Sequence, residues 1–294
     1  MSKINDEGFL ELSGVNHNVM HDELNAEKFP ILQGLSPLSL RVINQSARVM
    51  KIGEGVEMMH AGDTPHDLYF ISKGLFRVAR LHDGQMQNIA ELGVGQLFGE
   101  YGALRGKTRF ASVYAAEPST VIRVDLNAVQ QVLEADDELK QRIYALMQAR
   151  LLKSFIFGHD AFGHISDASR DIIAESLKIR EAKRDDIIFQ AGDAATCFYI
   201  ILSGEAEICV GDEKNQVILE IRRDNEVLGE ARAENGTKYA YTVRAANSLD
   251  LLVLDKAAMN LIHRADPSVM PKLNQLMSEE MRQFSVKMKA VLTK

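Results

Sequence analysis

The segment Phe98-Gly99-Glu100-Tyr101-Gly102-Ala103-Leu104-Arg105-Gly106-Lys107-Thr108-Arg109-Phe110-Ala111-Ser112-Val113 has a counterpart further along the chain. It runs from Leu228-Gly229-Glu230 to Tyr239-Ala240-Tyr241-Thr242-Val243, at an offset of 130 residues. The offset is constant. Ala61-Gly62-Asp63 matches Ala191-Gly192-Asp193, Tyr69 matches Tyr199, Gly74 matches Gly204, and the register holds from Leu35/Ile165 to Asp125/Asp255 without an insertion. A repeat of this length exceeds a solenoid unit and has the size of a small domain. The 294 residues therefore read as two copies of one domain, 29–158 and 159–294, behind an extension at 1–28. Within the otherwise matched segment the copies disagree at Arg109, which becomes Tyr239.

Two domains of this size can each bury a core without staples. A net charge of −7 argues against a surface built to neutralise nucleic-acid phosphates, so no DNA partner is expected. The two cysteines, Cys197 and Cys209, make neither a disulfide framework nor a zinc pattern, and no metal site is expected. The first residues carry no apolar h-region, and no apolar run is long enough to span a bilayer. The expected address is the cytoplasm, with no membrane partner.

The pattern of elements repeats with the sequence. Ser36-Pro37 and Ser166-Asp167 each precede helical apolar spacing, and both read as N-capped helices. Short alternating runs predict strands at 47–52, 56–60, 67–73, 75–82, 86–92, 110–116 and 119–125, broken by glycine turns. Matching strands are predicted at 186–190, 197–203, 205–211, 216–222, 240–246 and 249–255. After Asp125 the period becomes helical through Val129, Leu133, Leu139, Ile143, Met147, Leu151 and Phe155, giving a short helix and a long one that ends near Gly158. A similar stripe, Leu273, Leu276, Met277, Met281, Phe284 and Met288, closes the second copy. Residues 1–28 show weak patterning and read as a flexible or partner-dependent extension with at most a short helix. The fold class is α+β: two tandem β-roll domains, jelly-roll-like double-stranded β-helices, each flanked by helices.

The quoted segment suits a small anion. Glycines admit close backbone approach, the first turn of a short helix offers amides, and Arg109 offers a bidentate fork for phosphate oxygens. Glu100 would repel a phosphate, so its place here makes sense as an acceptor for a hydroxyl such as a ribose 2′-OH. Phosphate and ribose recognised together mean a nucleotide.

With Ala61-Gly62-Asp63, Lys73-Gly74 and Gly95-x-x-Phe98-Gly99-Glu100, the segment resembles the phosphate-binding cassette of the cyclic nucleotide-binding domain family. In its tandem architecture the chain is similar to the regulatory subunits of cAMP-dependent protein kinase. The resemblance implies that Glu100 accepts from the ribose 2′-OH and that Arg109 pairs with the exocyclic phosphate oxygens. It implies that the amides of Gly102 and Phe110 complete the cradle, that Gly99 allows close approach, and that Ser112 touches base or phosphate. Tyr101 and Ala111 are flanking members of the same site. Phe110 stands where cGMP-preferring members often carry threonine, which leans towards cAMP over cGMP. No resident cofactor is implied. A relay through the long helix is implied, with Tyr144 or Phe155 closing over the base.

In the second copy Gly229 and Glu230 remain, but Tyr239 replaces the arginine and Tyr241 replaces Ala111. A doubly ionic contact becomes a neutral hydroxyl, so Gly229, Glu230, Tyr239 and Thr242 make at most a weak second site, with Lys238 or Arg232 as substitute cations. No catalytic residues are assigned: there is no nucleophile elbow, Walker loop or cupin His-x-His, and no helix-turn-helix follows the second roll. Residues 1–28 lack arginine, whereas kinase regulators of this kind carry an Arg-Arg inhibitor segment. The reading is a cytoplasmic, non-enzymatic sensor for cAMP that signals to a protein effector, with a homodimer as a further assembly. The alternative is a ligand-independent scaffold or adaptor.

Overall fold

Ser36 and Ser166 open their helices in the same way. Each has an extended N-cap backbone, and each hydroxyl accepts from the amide three residues on, Ser39 N at 3.0 Å and Ser169 N at 3.2 Å. The capped helices are α1, Pro37–Ser46, and α5, Asp167–Ser176. The computed structural model describes residues 3–4, 10–11, 15–16, 23–64, 66–82, 85–105, 108–211, 217–229 and 238–292. The chain divides into two compact units, Met1–Met147 and Gln148–Lys294.

In unit 1 one antiparallel sheet has the order Glu57–Met59, Ser112–Ala115, Phe76–His82, Gln85–Leu92. The other has the order Val15–Asn16, Arg48–Ile52, Ser119–Asp125, Asp67–Lys73, Leu97–Phe98. Unit 2 repeats this plan with Ile187–Phe189, Thr242–Ala245, Ala206–Val210, Val217–Arg222 and with Lys178–Ala182, Leu249–Asp255, Cys197–Ser203, Val227–Leu228. In unit 1 a short helix, α2 (Glu100–Arg105), interrupts the roll and α3 (Leu126–Ala135) follows it; the next helix, α4 (Asp137–Gly158), begins in unit 1 and ends in unit 2. In unit 2 the roll is followed by α6 (Lys256–Ala265) and α7 (Val269–Leu292).

The strand Asp67–Lys73 explains how the layers meet. It is buried at nearly every position instead of alternating. Tyr69 and Ile71 face the interior of the roll with Phe76, Phe98 and Val121. Leu68 and Phe70 face the helices, against Ile43, Val129, Val132 and Ile143. A strand covered on both faces needs a continuous apolar run, and Leu-Tyr-Phe-Ile supplies one.

The predicted strands lie within two residues of those observed. Lys178–Ala182 was not foreseen, because Lys-Ile-Arg-Glu-Ala has no clear alternation; the two-residue strands Leu97–Phe98 and Val227–Leu228 are too short to carry a period. The described residues of 1–28 include strand pairs and no helix. Lys3–Ile4 pairs with Leu10–Glu11, and Val15–Asn16 adds to the strand Arg48–Ile52. Leu24 is 2% exposed in the core, and the Asn44 side chain ties it down by accepting from Leu24 N at 2.9 Å and donating to Leu24 O at 3.0 Å. One leucine and a bridging amide anchor residues 23–28, a pairing that weak local patterning conceals.

Gly204 sits at φ +110, and a Cβ there would lie 2.4 Å from the backbone oxygen of Ser248. Gly192, at φ +90, has nothing within 4 Å of that position. Left-handed strain costs either alanine roughly 1–3 kcal/mol, and only the first adds a backbone clash. In urea unfolding of the full chain, Gly204→Ala should be clearly less stable than Gly192→Ala; equal midpoints would contradict the packing described.

Candidate functional site

The Ala-Gly-Asp turn clamps the backbone of residue 109. Arg109 N donates to Asp63 O at 2.8 Å, and Gly62 N donates to Arg109 O at 2.8 Å. Unit 2 has the same clamp: Tyr239 N donates to Asp193 O at 2.9 Å and Gly192 N to Tyr239 O at 2.8 Å. The hydroxyls of Ser112 and Thr242 bolt the turn down further, accepting from Ala61 N and Ala191 N, each at 3.0 Å. Ser112 is 1% exposed, so the structure places this hydroxyl on the turn. The triplet's purpose was not legible in the sequence, although its recurrence was.

From this clamp Arg109 projects into the interior and is 6% exposed. Its Nη1 donates to Gly99 O at 2.9 Å and its Nη2 to Asp67 O at 2.8 Å. Gly99, at φ +94, has to be glycine here: a Cβ would sit 2.8 Å from Arg109 Nη1 and 3.1 Å from Asp67 O. Glu100, buried, begins α2 on the next residue, and Tyr101 and Gly102 are buried behind it. Burial pushes the Arg109 pKa below its ordinary value, while the surrounding Tyr69, Asp67, Glu100 and Asp63 pull it back up. The Asp67 carboxylate accepts from Arg123 Nε at 2.7 Å, so carboxylate and carbonyl of one residue hold two arginines. Ala111 is buried at the base of the cassette. Phe110 is half-buried, its ring centroid 5.0 Å from that of Tyr101, with the Arg80 guanidinium carbon 4.1 Å above its face.

Unit 2 fills the matching interior with aromatic rings. Tyr239 Oη donates to Cys197 O at 2.6 Å, and Cys197 holds the position of Asp67. The phenol thus takes the carbonyl that Arg109 takes in unit 1. Tyr241 Oη accepts from Gly229 N at 2.8 Å. Phe189 stacks on Tyr239 with centroids 3.8 Å apart. Gly229 keeps φ +95, and Lys238 is exposed and bridged to Ala194. Glu230 and Arg232 lie outside the described residues. Phe155, one of the two expected caps, is 7% exposed within unit 2, its ring centroid 4.7 Å from that of His159 and 6.0 Å from that of Phe162. Among the described residues no group of three or more His, Cys, Asp or Glu could hold a metal ion, and no helix is long and apolar enough to cross a membrane.

The cyclic nucleotide-binding domain model matches residues 50–136 and again 179–266. The chain belongs to the cyclic nucleotide-binding domain family. It carries two such domains in tandem. A cAMP-dependent protein kinase regulatory subunit from Yarrowia lipolytica is 22% identical over 242 residues, covering 82% of this chain and 58% of that relative. Another, from Mycosarcoma maydis, is 25% identical over 158 residues, covering 54% of this chain and 29% of that relative. The chain thus spans less than two thirds of these regulatory subunits. Among solved structures, the regulatory domain of Toxoplasma gondii PKA co-crystallised with cAMP aligns at 19% identity and a TM-score of 0.39, covering 85% of this chain and 92% of that one.

Burial leads the causes that push the phenols of Tyr69 and Tyr199 up from 10.0 to about 12. A phenol whose pKa is higher folded than unfolded stabilises the fold fully below about 10, and that contribution is lost as pH rises through about 12. Tyrosinate absorbance of the native chain should therefore lag the titration in urea over this window, with alkaline unfolding closing the gap. Coincident curves would contradict the burial of these rings.

Proposed function

We propose that unit 1 is a cAMP receptor, that Arg109 and Glu100 are its ionic and ribose contacts, and that the chain is a non-enzymatic sensor. The observation that carries the reading is Arg109: a guanidinium 6% exposed, clamped at its backbone and lying beside a buried glutamate in the family's cassette. Its present partners are neutral carbonyls. A phosphate would replace two neutral acceptors with charged ones that the fork can engage in bidentate fashion. Exchanging the Gly99 carbonyl for an anion also frees the start of α2 to tighten, which gives binding a mechanical consequence. Gly99, Tyr101, Gly102, Phe110, Ala111 and Ser112 complete the seat, with Ser112 acting through the turn it anchors. Phe110 offers no hydroxyl to read a guanine, which favours cAMP over cGMP.

The relay we propose runs through α4, whose stripe begins in the core of unit 1 at Leu139 and Ile143 and continues past Met147. With Phe155 packed on Phe162, Tyr144 is the candidate to close over the base. A ligand moves this helix only through differential affinity for its two positions. The output is a protein effector in the cytoplasm, with a second copy of the chain as a further partner. The functional domains are 29–158 for ligand and 159–294 for the degenerate copy, and no cofactor is required.

Equilibrium titration with cAMP and cGMP tests the reading. Wild type should bind one nucleotide per chain and prefer cAMP. Arg109→Ala leaves a buried phosphate unpaired, which costs about 2–5 kcal/mol, or roughly thirty- to several-thousand-fold in affinity. Saturable binding that survives Arg109→Ala, or no binding of either nucleotide, would overturn it; the second result favours a scaffold.

A further inference from the structure

The aromatic interior of unit 2 continues onto its last helix. Phe284 of α7 is 6% exposed and belongs to the core of the roll, its ring centroid 4.5 Å from that of Tyr241. The Tyr241 hydroxyl in turn accepts from Gly229 N, at the start of the cassette. One ring therefore connects the ligand-binding segment of the family to α7. A second connection is ionic. Arg222, 2% exposed at the end of the strand Val217–Arg222, pairs with Glu280 of α7 and with Glu220, and Glu220 pairs with Lys287 of α7. Arg222 also donates to Val227 O at 3.2 Å, on the strand that leads into Gly229.

Five of these residues depart from their counterparts in the first copy. At the same offset Tyr241 matches Ala111, Arg222 matches Leu92, Glu220 matches Ala90, Glu280 matches Arg150 and Phe284 matches Ser154. At these positions the first copy has neither the two rings nor the opposite charges that build this connection, and the second has both. The copy with tyrosine in place of Arg109 is the copy that carries them.

We propose that unit 2 contains a built-in lock, in which Tyr239 and Tyr241 occupy the cassette interior and Phe284, Glu280 and Lys287 hold α7 against the roll without a ligand. This rests on the reading that the cassette is the family's ligand seat. The lock makes unit 2 a fixed platform, so that any response to nucleotide originates in unit 1.

Amide hydrogen exchange of the full chain, without nucleotide, tests the lock. Phe284→Ala and Glu280→Gln should each speed exchange in α7 at least ~10-fold, while the strand Cys197–Ser203 stays protected. Should either variant unfold the whole unit, Lys287→Met decides, because Lys287 is about half exposed and its loss should still loosen α7 severalfold. Exchange in α7 unchanged from wild type in the variants that fold would overturn the lock. In Arg109→Ala, saturating cAMP should leave α7 exchange as it is, and slowing would show a ligand seat in unit 2 and overturn it too. The nucleotide-free arms read the lock whether or not unit 1 binds, so its failure is distinct from failure of the receptor reading.

Discussion

Two backbone hydrogen bonds from the Ala-Gly-Asp turn to the residue at 109 or 239 set everything else in each unit. They fix where one side chain leaves the backbone, and they point it at a carbonyl on the neighbouring strand, that of Asp67 or Cys197. With that direction fixed, the choice of side chain decides the chemistry. Arginine brings a permanent charge and donors beyond those the carbonyls use. Tyrosine satisfies the same carbonyl with a single neutral hydroxyl and brings a ring that stacks on Phe189.

The energetic contrast follows from burial. On the proposed reading, a guanidinium held by neutral carbonyls in a low-dielectric interior would take an anion in their place, since unpaired buried charge is costly. Desolvation lowers the Arg109 pKa, and its neighbours Tyr69, Asp67 and Glu100 pull it back up. In unit 2 burial raises the Tyr239 pKa, so the hydroxyl stays neutral. There the Phe284–Tyr241 contact and the Arg222 ion pairs join the roll to α7. The same scaffold thus supports an ionic interior in one unit and a self-packed interior in the other.

The duplication, the strand boundaries around Asp67–Lys73 and the long helix were legible in the sequence because glycine turns and apolar periods are local signals. Of the cassette residues, Arg109 meets the Gly99 carbonyl, and Glu100 follows at the start of α2. What stayed hidden depends on partners distant in sequence. The Ala-Gly-Asp clamp, the Ser112 bond to Ala61 and the Leu24–Asn44 pairing carry no local period. The Arg222–Glu280 pair joins a strand to a helix far along the chain. Comparison of the copies could have flagged it, since Leu92 and Arg150 stand at the matching positions.

The account stands most directly on a crystal structure of the full chain grown with cAMP. It predicts nucleotide in unit 1, with the Arg109 fork on the phosphate, while in unit 2 the Tyr239 and Tyr241 hydroxyls remain on Cys197 O and Gly229 N. Nucleotide seated in unit 2, or Arg109 still on its two carbonyls with no nucleotide in unit 1, would contradict it.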